Sequence, residues 1–161
     1  MKRIVLALGI SAAAAAHAED SRKIGAWNYL PDQQGEIWET MASEIPACTG
    51  ALDPSAVFAF TCEKGDLNVV ISTNCKIPAS IGDRIPVTIG SDNLSKKRQY
   101  NMTITAENTF TSGGGFGQLI AQRLATTHYA HVSVGGAEMT FNFYGLDRVI
   151  LETDNSCLHF Y

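Results

Sequence analysis

From Phe58 to Cys75 the chain reads FAFTCEKGDLNVVISTNC, two alternating apolar runs on either side of Lys64-Gly65, with a cysteine near each end. A glycine between two such runs signals a hairpin, because the tight turns that join twisted strands need positive φ at their central residues. With Lys64 and Gly65 at the centre, Glu63 faces Asp66, Cys62 faces Leu67, Phe60 faces Val69 and Phe58 faces Ile71. Side chains alternate along a strand, so Phe58, Phe60, Cys62, Leu67, Val69 and Ile71 share one face, and Thr61, Asn68 and Ser72 the other. One side is expected to be buried and the other wet. A one-residue slip would turn the whole apolar set to water, so the register is well specified.

The compartment follows from the start of the chain. Met1 to Ala18, MKRIVLALGISAAAAAHA, joins two basic residues to a short apolar run and ends in Ala16-His17-Ala18. That is the pattern of a secretory signal peptide cleaved before Glu19. The apolar span Ile4 to Ala16 is shorter than the ~20 residues a transmembrane helix needs. Residues 19–161 are therefore expected to form a single β-rich exported domain, periplasmic or secreted, with no stable membrane insertion once the leader is removed. No cysteine follows the cleavage site to carry a lipid.

Sixteen Asp and Glu stand against twelve Lys and Arg, a net charge of −4, and loss of Lys2 and Arg3 makes the exported part more acidic still. Nucleic acid is excluded as a partner, since affinity for phosphate backbones is built from clustered Lys and Arg. The one basic cluster, Lys96, Lys97 and Arg98, follows Asp92 and Asn93 and reads as a solvated loop over Ser91 to Lys97.

All four cysteines, Cys48, Cys62, Cys75 and Cys157, lie in the exported part, where two disulfides are expected. Cys75 lies eight residues beyond Leu67, the partner of Cys62, which separates the two by roughly 26 Å at strand rise. A disulfide needs Cα atoms within about 7 Å. Cys48 enters near the open end of the hairpin, so the favoured pairs are Cys48 with Cys75 and Cys62 with Cys157. No CxxC or paired Cys/His spacing points to a metal, and no cofactor is expected.

Elsewhere the signals are local. Ile24 to Leu30 reads as a strand broken by Pro31, and Gly35 to Met41 fits either a strand or a short helix. Trp27 and Tyr29 alternate as core aromatics do. Ile85, Val87 and Ile89 alternate around Pro86, which argues for an edge because proline cannot donate to a ladder. Tyr100, Met102, Ile104 and Ala106 alternate with polar residues as a half-buried strand. Thr111 to Gly117 is glycine-rich, but Gln118 stands where a GxGxxG needs its third glycine and no Gly-Lys-Ser/Thr follows, so a mobile loop is expected. Phe116, Leu119, Ile120, Arg123 and Leu124 then predict an amphipathic helix over Gln118 to Thr126 that lies on the sheet.

A second hairpin turns at Gly135-Gly136, pairing Val134 with Ala137, Val132 with Met139 and Ala130 with Phe141. Its outward residues are Tyr129, His131, Ser133, Glu138, Thr140 and Asn142. His128 falls on the apolar face, where a hydrogen-bonded structural histidine is expected, and it cannot share a metal with His131 on the opposite face. Leu146 to Thr153 fits a short helix or strand.

Taken together, the strand AFTCEKGDLNVVIS, the helix GQLIAQRLATT, the strands YAHVSV and EMTFNFYG, and LDRVILETDNSC resemble the small periplasmic domains of the VasI/TagO type. The matching pieces are the strand Phe58 to Cys62 and the pattern Phe141, Phe143, Gly145 and Cys157. The resemblance implies an envelope domain associated with type VI secretion.

No GxSxG, HExxH or redox-cysteine motif is present, and Ser133 beside His131 sits on an open strand without oxyanion donors. Asp147, Glu152 and Asp154 read as a solvated face. The chain is expected to be no enzyme but a binding protein whose partner is a protein or cell-wall component of the bacterial envelope. Outward position singles out Lys96, Lys97 and Arg98 on their loop and Tyr129 and His131 on the second hairpin. The alternative is a secreted inhibitor of a lysozyme-like or other hydrolase. The stretch TCEKGDLNVV also resembles the small periplasmic lysozyme inhibitors, and Ser112-Gly113 echoes their Ser-Gly loop. The expected fold is an antiparallel β-sandwich or partly closed barrel, mainly β, with one covering helix and two disulfides.

Overall fold

The central hairpin sets the register for its neighbours. The structure, a computed structural model, describes residues 22–32, 35–63, 65–92, 94–113 and 115–152. The expected leader over residues 1–18, and Asp154, Cys157 and the Phe160-Tyr161 end, lie outside them. The elements run β1 (Lys23–Ile24), β2 (Trp27–Asp32), β3 (Gly35–Ala47), β4 (Ala56–Glu63), β5 (Asp66–Thr73), β6 (Arg84–Ser91), β7 (Leu94–Ala106) and β8 (Thr109–Ser112). After them come α1 (Gly115–Leu124), β9 (Tyr129–Val134), β10 (Ala137–Asn142) and α2 (Leu146–Glu152). No helix among the described residues is long and apolar enough to cross a membrane.

The β4–β5 hairpin has the expected register throughout, from Glu63 opposite Asp66 to Phe58 opposite Ile71. Gly65 supplies the positive φ of the turn, at 87°. Phe58, Phe60, Leu67, Val69 and Ile71 are buried. The β9–β10 hairpin is also as expected, with Val134 opposite Ala137 and Ala130 opposite Phe141.

All strand pairs are antiparallel, in the order β3-β10-β9-β6-β7-β8-β5-β4, and β4 pairs back to β3. The sheet thus closes into an eight-stranded barrel, in place of the sandwich or partly closed barrel expected. Closure depends on β3. Its first half lies between β4 and β2, with Trp38 opposite both Phe60 and Tyr29, and its second half pairs with β10 through Thr140 opposite Glu44. Gly35 to Met41 is accordingly strand, and β2 runs through Pro31 without a break. Thr40 Oγ1 donates to Asn142 O at 3.1 Å and Ser43 Oγ to Thr140 O at 3.1 Å, tying β3 to β10 where the register shifts.

Alternation sends one face of every strand into the barrel. Aromatic residues fill the β3–β4–β10 side: Trp27 stacks on Phe60 at 5.4 Å between centroids, and Phe58 meets Phe143 edge-on at 4.9 Å. Trp27 is fully buried and Tyr29 packs on Trp38, so both serve the core. Val87, Ile89, Met102, Ile104 and Val132 line the other side.

Three departures follow from geometry. Ser91 to Lys97 is no loop: β6 and β7 form a tight hairpin, from Arg84 opposite Thr103 to Ser91 opposite Leu94, so Lys96, Lys97 and Arg98 lie in a strand. Lys97 and Arg98 are exposed there. Pro86 sits in a central strand, but β9 pairs with β6 only from Thr88 onward, so Pro86 occupies a local edge as its missing N–H requires. The helix α1 begins at Gly115 and ends at Leu124, earlier at both ends than expected, and α2 is a second helix among the described residues.

Beyond the open end of the central hairpin, Cys48 and Cys75 are joined with Cα atoms 5.2 Å apart. The following segment is held by Asn108, whose Oδ1 accepts from Ile77 N at 3.2 Å and whose carbonyl accepts from Thr73 N. Ile77 is buried there. The expected partner of Cys62, Cys157, lies outside the described residues.

Candidate functional site

β8 is too short for its place in the ring. It pairs with β5 only from Val69 to Ser72 and with β7 only from Thr103 to Ala106. β5 therefore runs on through Asp66 to Asn68, and β7 through Leu94 to Met102, with no strand between them among the described residues. The helix α1 takes up this space. Gly117 lies against β5, where a Cβ would collide with the Leu67 carbonyl. Ile120, Ala121 and Leu124 are fully buried on the same side. The helix spacing i, i+3, i+4, i+7 from Gly117 is thus the seated face.

The neighbouring stripe is left outside. Phe116 and Leu119, expected on the buried face, are 54% and 56% exposed. With Gln122 and Arg123 they form one wall of an open groove of about 490 Å³, whose other wall is Arg98, Gln99 and Tyr100 of β7. Two large apolar side chains a helical turn apart thus face a strand edge. No carboxylate among the described residues lines this groove, in a chain where acidic residues outnumber basic ones.

The residues singled out in the sequence divide into two sets. Arg98 follows the inward register, opposite buried Ile89 and two residues from half-buried Tyr100, and so lines the groove. Lys97 faces the outer surface and lies over Gly90, where a Cβ would come within 3.0 Å of its Cγ. Gly90 is opposite His131 on β9, so Lys97 and His131 lie on the two strands that flank β6, on one outer surface. His131 Nδ1 is 3.0 Å from Thr140 Oγ1 and the ring is exposed. Tyr129 starts the same strand, its N–H donating to Asp92 Oδ1. Lys96 lies in β7.

Sequence reasoning missed Phe116, Leu119, Gln122 and Tyr100 as groove residues. The signal that could have found them is Gly117, because a glycine inside a helix marks the face that approaches backbone closely.

A second, smaller cavity of about 280 Å³ lies where α1 leads into β9, lined by Thr127, His128, Phe143 and Asp147 among others. His128 is a correction: it precedes the strand, its side chain is exposed, and its Nδ1 is 3.6 Å from Asp92 Oδ2. Thr127 Oγ1 is buried without a hydrogen-bond partner among the described residues. No group of three metal-ligating side chains occurs among the described residues. Burial raises the pKa of Glu39, which lies on β3 away from the groove.

Comparison with family models, with curated proteins and with solved structures finds no match to this chain.

Proposed function

We propose that this is a non-catalytic exported protein that binds another envelope protein or a cell-wall component, and that the groove between α1 and β7 is its docking site. One observation carries the reading: Phe116 and Leu119 are more than half exposed beside a strand edge that no strand among the described residues covers. Contiguous apolar exposure of this kind marks interaction surfaces, since folding alone gives no reason to leave it uncovered. The Cys48–Cys75 disulfide and the leader expected over residues 1–18 support a periplasmic or secreted location. Pairing of Cys62 with Cys157 belongs to the same reading, as does the type VI accessory role implied by the VasI/TagO resemblance.

The inhibitor alternative gains no support from its own segment. Thr109 to Ser112 is strand, and Ser112 is buried with its Oγ accepting from Val69 N at 3.2 Å, so it does not protrude as an inhibitory loop does.

The test is affinity capture from an envelope extract with the mature oxidised protein, beside the double variant Phe116→Ser/Leu119→Ser. We expect an envelope protein retained by the parent and lost from the variant, with unchanged melting of both. Equal capture by the two proteins would move the site elsewhere. A captured muramidase whose activity the pure protein suppresses would favour the inhibitor.

A further inference from the structure

We propose that the groove receives an acidic, extended segment of a partner protein, added as a further strand to the open edge of β7. The inference rests on the reading of the groove as the docking site and names what fills it.

The backbone is the first ground. β6 pairs with one edge of β7 at Leu94 and from Arg98 to Thr103, and among the described residues the other edge is paired only from Thr103 onward, by β8. Among the described residues, Arg98 to Met102 thus have no strand partner on that edge, and exposed sheet edges of this kind capture extended peptides by adding a ladder. Charge is the second. Arg98 and Arg123 line the groove, and no carboxylate among the described residues lines it, although the chain as a whole carries net charge −4. An acidic strand is attracted to such an edge. A second copy is disfavoured, because antiparallel pairing of two β7 edges centred on Arg98 sets the two arginines opposite one another. The third is the far wall, where Phe116 and Leu119 meet the apolar face of a strand whose side chains alternate. A groove of about 490 Å³ is within the range of ligand clefts. An anionic glycan satisfies the charge but has no use for a strand edge.

The experiment titrates isotope-labelled, mature, oxidised protein with a short synthetic peptide of alternating valine and glutamate, and with its valine–lysine counterpart. The glutamate peptide is expected to shift the amides of Arg98 to Met102 and to slow hydrogen exchange there. Its affinity should fall with added salt and by about tenfold in Arg98→Glu or Phe116→Ser. Lys76→Glu, exposed at the far end of the barrel, should leave it unchanged. Spectra of the variants away from the groove report that they fold. Equal binding of the lysine peptide, or no slowed exchange at the β7 edge, overturns the proposal. If envelope capture still requires Phe116 and Leu119 while neither peptide touches β7, docking stands and strand addition falls. Shifts of the same amides by a soluble peptidoglycan fragment, without the peptide, overturn it in favour of a cell-wall ligand.

Discussion

Glu39 shows how a single side chain is set by its neighbours. It stands on β3 between Asn28 of β2 and Ala59 of β4, half-buried, and burial raises its pKa because the charged form loses water on folding. The folded pKa therefore lies above the unfolded one. Stability is fullest below the unfolded value and falls as pH rises through the folded value. Glu39→Gln is expected to melt higher than the parent at pH 7, with the difference closing as the pH drops toward 4. A constant difference, or a lower melting temperature at pH 7, would show a compensating interaction at Glu39. At this scale the core was largely legible. Trp27, Phe58 and Phe141 are buried as their alternation requires. His128 was not, because its alternation holds only if the strand reaches it, and β9 starts one residue later.

Elements were legible where period and turn chemistry agree. Both glycine hairpins satisfy this, and their registers follow from it. The β6–β7 hairpin does not: its turn is flanked by Ser95-Lys96-Lys97-Arg98, with no apolar alternation, because one side of β7 is wet and the other opens on the groove. The seating of α1 was ambiguous for a related reason. Two apolar stripes run along it, and only Gly117 tells them apart. In an exposed helix interior Ala is better than Gly by about 1 kcal/mol, so Gly117→Ala stabilises if that face is loose. Against Leu67 the added Cβ meets backbone, which cannot move aside as a flexible side chain can. Overpacking of this kind costs about 1–3 kcal/mol. We expect Gly117→Ala to lower the denaturant midpoint without changing the slope. A raised midpoint would place Gly117 on the outer stripe and return Phe116 to the core.

For the whole molecule, the closing of the ring is the step that local signals could not carry. Within β3, Trp38 and Thr40 turn inward while Met41 is exposed, and the strand changes partner from β2 to β10 midway, so neither period nor length betrays its role. The ring closes through the ladders of β3 with β4 and β10, and the disulfide joins Cys48, just past β3, to Cys75, just past β5. The bond thus ties two strands that already flank β4. Its contribution is then chiefly to restrict the unfolded chain, and for a separation of 27 residues the chain-entropy account gives about 3–4 kcal/mol. Cys48→Ser/Cys75→Ser is expected to lose about that much stability while keeping the near-ultraviolet spectrum of the aromatic cluster and the peptide affinity of the groove. Loss of the aromatic signal under native conditions would mean that the bond holds the ring itself. Retention of both would show that the covalent tie past β3 and β5 secures the fold independently of the groove at β7 and α1.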